Sequence, residues 1–142
     1  MCMLPDPGSP QDWLRYARSD LALARTTPRN DILLELLCFH AQQAAEKSIK
    51  AVLVHSGMRP PRTHIIERLV ELLPQGIDRP LVLSEAGRLT DYAAIVRYPG
   101  GPEAVTEDEY EESLRLAEAV TAWAEAFLAE QSATDADGAT QA

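Results

Sequence analysis

The sequence predicts an all-α protein, an antiparallel up-and-down helical bundle of four long helices plus one shorter helix. Three observations predict this. Apolar residues recur three and four positions apart through most of the chain. Residues that start and stop helices bracket each such series. No stretch of useful length alternates apolar and polar residues as a strand would.

The first helix begins at Ser9-Pro10, with Ser9 as N-cap, Pro10 in the first turn and Asp12 three residues on. Its apolar series is Leu14, Ala17, Leu21 and Ala24. Thr27-Pro28 repeats the start signal for a second helix, which runs to about His55 and stops at Gly57. At 1.5 Å per residue that helix is roughly 40 Å long. Pro60-Pro61 separates it from the shorter helix, "HIIERLVELL", capped by Thr63. "PQGIDRP" breaks the chain again. A fourth helix carries Val82, Ala86, Leu89, Ala93 and Val96, and ends at Pro99 and Gly100-Gly101. Thr106 and Glu109 form a capping box for the last helix. That helix carries Leu114, Ala117, Thr121, Ala124 and Leu128, flanked by Leu116, Val120, Trp123 and Phe127, a face wide enough for two neighbours. Short connections favour antiparallel neighbours. The expected organisation is a flexible N-terminus at 1–8, the bundle at 9–130 and a disordered acidic tail at 131–142.

Composition narrows the class of function. A chain of 142 residues fits one domain with a core that needs neither disulfide nor metal. A net charge of −9 argues against a general electrostatic binder of nucleic acid, though local basic patches remain open. Cys2 and Cys38 have no metal-ligand spacing, and Cys38 reads as a buried, reduced thiol, which points to the cytoplasm. No stretch is apolar for long enough to span a bilayer, and "MCMLPDPGSP" has no signal-peptide pattern. No Gly-rich phosphate loop and no internal repeat occurs, and no cofactor is expected.

The most informative stretch is "FHAQQAAEKSIKAVLVHSG", residues 39–57. Its alanines and Ser48 let another helix approach closely. Cys38, Ala41, Ala45, Ile49 and Val52 make an apolar seam. Beside it His40, Gln43, Lys47 and Lys50 make a polar line at helical spacing. That line reads either as a solvated face or as a strip facing a groove or a symmetry mate. Glu46 and Lys50, four apart, read as a surface ion pair.

"FHAQQAAEKSIKAVL", then a glycine and two prolines, then "THII", "LVELL", "DYAAIVRYP" and an amphipathic last helix together resemble the HEPN family of small prokaryotic helical domains. The resemblance covers about residues 11–128. It implies a bundle of four to five helices, usually paired as a homodimer. It also implies a partner, because many HEPN proteins accompany a minimal nucleotidyltransferase in toxin–antitoxin modules. Several are metal-independent ribonucleases, which carry an arginine, four to six residues, then a histidine.

Arg97 stands where the resemblance places that arginine. The matching histidine would fall at Pro102, Glu103 or Ala104, and no histidine follows His64. Arg59 and His64 satisfy the spacing literally, but the resemblance aligns His64 with a structural histidine at a helix start. No residue is therefore assigned as catalytic and none as a metal ligand. His40 is expected half-buried and hydrogen-bonded between two helices, and His55 exposed near a helix end. Arg59, Arg62 and Arg68, with Lys47 and Lys50, read as a solvated face or as one basic patch. Candidate ligand-binding residues are Arg97, Tyr98, Tyr92, Lys50, Lys47 and Gln43. Arg97 offers a planar fork suited to phosphate, or else ties down carbonyls at the end of the fourth helix. Three functions stay open: a dimeric binding partner of a nucleotidyltransferase with a nucleotide or RNA site, a ribonuclease toxin with an atypical site, and an interaction protein without a small ligand.

Overall fold

A computed structural model describes residues 8–26, 31–95 and 104–140. Among these the chain is helical, with no strand. The elements are α1 (Pro10–Ala24), α2 (Leu34–His55), α3 (Ile66–Glu71), α4 (Leu81–Glu85), a 3₁₀ turn (Ala86–Asp91), α5 (Tyr92–Ile95) and α6 (Glu107–Thr140).

The caps explain several of these bounds. Ser9 Oγ accepts from the Asp12 N–H at 3.1 Å, and Asp12 Oδ2 accepts from the Ser9 N–H at 3.2 Å, which completes a capping box for α1. At the end of α2, Gly57 has φ 85°. There the Met58 N–H reaches Leu53 O and the Gly57 N–H reaches Val54 O, a Schellman closure that needs a residue at ease in left-handed space. The Thr106–Glu109 box opens α6.

Three starts and stops differ from the sequence reading. The helix expected from Thr27-Pro28 begins at Leu34, with no side-chain cap. Residues 27–30 lie outside the described set. Thr63 does not cap α3. Its Oγ1 accepts from the Ile65 N–H in a tight turn, and the Ile66 N–H is met instead by Thr90 Oγ1 from across the fold. The last helix runs through Thr140, past Glu130 and into the segment read as a disordered tail.

Contacts fix the directions. Lys50 lies by Trp13 and Lys47 by Tyr16, so α1 and α2 are antiparallel. Arg18 pairs with Glu125 and Arg25 with Glu118, so α1 and α6 are antiparallel too. Ser48 meets Thr121 and His55 meets Phe127, which makes α2 and α6 parallel. The stretch from α3 to α5 is therefore the return leg of an up-and-down bundle. The sequence reading gave most of this leg to one long fourth helix; the structure breaks it. Leu83, Ala86 and Leu89 are all buried and spaced three apart, the period of a 3₁₀ rather than an α-helix.

The core centres on α2, packed between α1, α6 and the return leg. Ala41, Ala44, Ala45 and Ala51 are fully buried, so neighbouring helices approach closely. Ile49, Val52 and Leu53 meet Leu116, Val120 and Ala124 of α6, with Ile66, Leu69, Leu83 and Leu89 from the return leg. Ser48 Oγ lies 2.7 Å from Ala44 O and 3.0 Å from Thr121 Oγ1, so the buried hydroxyls are satisfied inside the apolar contact.

Candidate functional site

The polar line on α2 is not a solvated face. It lies against α1 and the turn before α3, and two carboxylates organise it. Glu46, 3% exposed, accepts from Gln42 Nε2 at 2.9 Å, His64 Nδ1 at 2.8 Å and Lys50 Nζ at 3.0 Å. The Glu46–Lys50 pair, read from sequence as a surface pair, is therefore buried. Removing two charges from water is costly unless each is fully hydrogen-bonded, and the Gln42 and His64 donors meet that need for Glu46. Gln42 Nε2 also approaches His64 O at 3.4 Å, and Gln43 Nε2 donates to Gln42 Oε1 at 2.7 Å.

Asp20 of α1 is the second carboxylate. Its Oδ2 accepts from Lys47 Nζ at 2.6 Å, and its Oδ1 lies 3.0 Å from His40 Nδ1. His40 is thus half-buried and hydrogen-bonded between two helices, as its position suggested. The Lys47 ammonium sits 5.8 Å from the centre of the Tyr16 ring, and Lys50 sits 5.5 Å from that of Trp13. Neither lysine adds net charge to a basic patch, since each is matched by a carboxylate. Arg59, Arg62 and Arg68 are exposed.

Tyr92 stands elsewhere. With Arg88, Leu89, Asp108, Glu109, Glu112, Ser113 and Leu116 it lines a cleft of about 300 Å³ between the return leg and the start of α6. Burial pushes its phenol pKa up, and a hydrogen bond from Ser113 opposes that. Beside it burial pushes the Cys38 thiol up to about 11, with Ser113 opposing and the Glu109 and Glu35 carboxylates adding to the rise. Cys38 is therefore a protonated core thiol at neutral pH and no nucleophile. At the rim, a hydrogen bond from Arg115 holds Glu112 below the usual carboxylate range. Arg97 and Tyr98 lie outside the described residues. The six candidate residues thus separate. Gln43, Lys47 and Lys50 belong to the α1–α2 network, and Tyr92 to the α6 cleft.

Sequence reasoning missed Asp20 and the link from Glu46 to His64. A signal for Asp20 was present, because Trp13, Tyr16 and Asp20 are spaced three and four apart beside the apolar series of α1. The link from Glu46 to His64 left none, since eighteen residues and a loop separate the two. Among the described residues no group of His, Cys, Asp and Glu is arranged to hold a metal ion. None of their helices is long and apolar enough to cross a membrane.

A family model for the HEPN domain matches residues 10–127. The chain belongs to the HEPN family. HEPN structures share its fold. The crystal structure of TT1696 from Thermus thermophilus is 32% identical, with a TM-score of 0.68, and the match covers 82% of this chain and 95% of that one. The crystal structure of ST0689, described as an archaeal HEPN homologue, is 29% identical, with a TM-score of 0.66, covering 84% and 97%. A search of curated proteins returns no match.

Proposed function

We propose that this HEPN protein is a cytoplasmic, dimeric binding protein that does not itself cleave RNA. It acts as the partner of a minimal nucleotidyltransferase in a toxin–antitoxin-type module. The observation that carries the reading is the position of His64. Its Nδ1 is held at 2.8 Å by Glu46, a buried carboxylate that also neutralises Lys50. This histidine anchors the turn before α3 to α2. No histidine follows it in the chain, so Arg97 has no imidazole in the spacing that HEPN ribonucleases use. In the sequence Arg97 stands with two tyrosines, Tyr92 and Tyr98, a set that suits holding a nucleotide or RNA phosphate. Lys47, Lys50 and Gln43 rank behind Arg97 in that role, because their donors already serve Asp20, Glu46 and Gln42. Exposed Leu33, Leu36 and Leu81 supply apolar surface for a second chain.

The test is co-expression with a minimal nucleotidyltransferase, followed by co-purification, sedimentation and incubation of the complex and the free protein with RNA. The expected result is a stable complex, a free protein at twice 15.6 kDa and intact RNA. A mass near 15.6 kDa at all concentrations removes the dimer. RNA cleavage that disappears in His64→Ala removes the non-cleaving reading in favour of a ribonuclease built on Arg59 and His64.

A further inference from the structure

His40 lies on α2 where that helix faces α1, away from the α6 cleft. Its Nδ1 is 3.0 Å from Asp20 Oδ1. An ionised carboxylate only accepts, so the neutral ring carries its proton on Nδ1 and its lone pair on Nε2. The Phe39 ring packs edge-on at 5.3 Å and 70°, which further fixes the imidazole plane. Among the described residues Nε2 has no hydrogen-bond partner, and the side chain is 30% exposed. Asp20 is 11% exposed, so the orienting carboxylate is shielded while the ring it orients reaches solvent.

A cation completes the arrangement. Lys47 Nζ contacts the other oxygen of Asp20 at 2.6 Å and is 25% exposed. An ammonium has three N–H donors, and Asp20 takes one. The network of His40, Asp20 and Lys47 contains no hydroxyl or thiol for the imidazole to activate. Cys38, two residues away, is fully buried in a different cluster. The nucleophile of this group is the imidazole nitrogen itself.

We propose that His40 is a phosphoryl-accepting residue, modified at Nε2 by a reactive phosphodonor of the phosphoramidate or acyl phosphate class. With phosphoramidate the Nε2 lone pair forms a bond to phosphorus. The phosphorus–nitrogen bond of the donor, already protonated on nitrogen in its zwitterionic form, breaks, and ammonia leaves with that electron pair. The ring keeps its Nδ1 proton against Asp20, whose charge balances the cationic phosphoimidazole. Lys47, held on the other oxygen of Asp20 and 25% exposed, is the cation this network holds for the phosphoryl oxygens. The other histidines lack one part or another. His55 packs edge-on against Phe127, and among the described residues no carboxylate bonds its ring nitrogens. His64 is oriented by Glu46, but the lysine on that carboxylate, Lys50, is only 8% exposed and cannot serve an incoming phosphoryl group.

The test treats the full-length protein with potassium phosphoramidate and maps acid-labile phosphohistidine by mass spectrometry at alkaline pH, with phosphorus NMR to assign the isomer. The expected product is a single phosphoryl group on His40 at Nε2. It forms about tenfold faster than any product on His55, the order of effect known for carboxylates that hold an imidazole, and faster than any on His64, whose carboxylate carries only the buried Lys50. Asp20→Asn should slow it by about the same factor and raise the share of the Nδ1 isomer, which a purely structural role for Asp20 would not do. Equal labelling of the three histidines, or an Nδ1 product in the unaltered protein, overturns the proposal. That comparison needs no variant to fold. Asp20→Asn that folds with unchanged rate and isomer overturns it as well.

Discussion

The Lys50 ammonium lies 3.0 Å from the Glu46 carboxylate one helical turn away, and both are sealed from solvent. Glu46→Ala would leave Lys50 buried without its counter-charge, and the Gln42 amide and the His64 ring without their acceptor. The expected cost is about 3–5 kcal/mol, read from the urea midpoint. Lys50→Met should cost less, because Gln42 and His64 still serve Glu46 and the new side chain fills the same space. Equal losses from the two variants would mean that the carboxylate does not organise the network.

Alkaline pH should weaken the fold through Cys38. Its thiol rises from the ordinary 9.0 to about 11 in the folded chain, chiefly because burial disfavours the thiolate. Between those values the folded chain keeps a proton that the unfolded chain has lost. Stability is therefore whole below about pH 9 and falls as pH rises through about 11, by about 1.4 kcal/mol per pH unit. Tyr92 and Tyr110, also raised by burial, act in the same direction further up. Urea unfolding at about pH 8 and about pH 10.5 should show the loss, and Cys38→Ala should make it shallower. Identical pH profiles for the two proteins would refute the assignment.

Gly87 should resist substitution. A Cβ there would come 2.6 Å from Glu67 Oε1 and 2.9 Å from Glu67 Cγ, so the α3 side chain would have to move. Moving it breaks the bond from Thr90 Oγ1 to Glu67 Oε2, and Thr90 is the residue that meets the first free N–H of α3. Gly87→Ala should cost about 1 kcal/mol. In a Glu67→Ala background the same change should cost less. Additive losses in that double-mutant cycle would show that the close approach is not what matters.

Tyr110 ties the start of α6 to the end of α1, its hydroxyl donating to Ala24 O at 2.6 Å. That carbonyl is the last of α1, one of the four that a helix leaves without a partner of its own. Tyr110→Phe keeps the ring and removes the donor, so about 1–3 kcal/mol should be lost in urea unfolding. A change within error would mean that water reaches the carbonyl.

The fold was legible where local chemistry decides it. Ser9 with Asp12, Thr106 with Glu109, and Gly57 each have partners within a few residues, and a sequence displays such partners side by side. The return leg was not. Whether Val82 to Ile95 forms one α-helix or three short pieces depends on how Leu83, Ala86 and Leu89 seat against α3 and α6, which no local pattern reports. The candidate site divided along the same line. Tyr92 stands among the candidate ligand-binding residues of the sequence, but its cleft is built by α6 residues distant in sequence. Glu46 looked like half of a surface pair because the i,i+4 rule sees Lys50 and cannot see His64. The polar line of α2 was visible, and its meaning came from Asp20, on another helix.

Arg97 separates a binding role from a capping one. If it holds phosphate, Arg97→Ala removes charge-assisted bonds of about 1.5–3 kcal/mol, a loss of roughly tenfold to a hundredfold in affinity. Arg97→Lys keeps the charge but loses the planar fork, so affinity should fall by less and still measurably. If Arg97 instead ties down carbonyls at the end of α5, Arg97→Ala lowers stability and leaves affinity alone. Both quantities are measured on the same protein, thermal unfolding beside titration with a nucleoside triphosphate and with a short RNA. Tyr92→Phe serves as the companion variant, since Tyr92 borders the α6 cleft and keeps its ring. Lowered stability with unchanged affinity for both probes in Arg97→Ala would reject the phosphate role. A fall in affinity with an unchanged unfolding temperature would reject the cap.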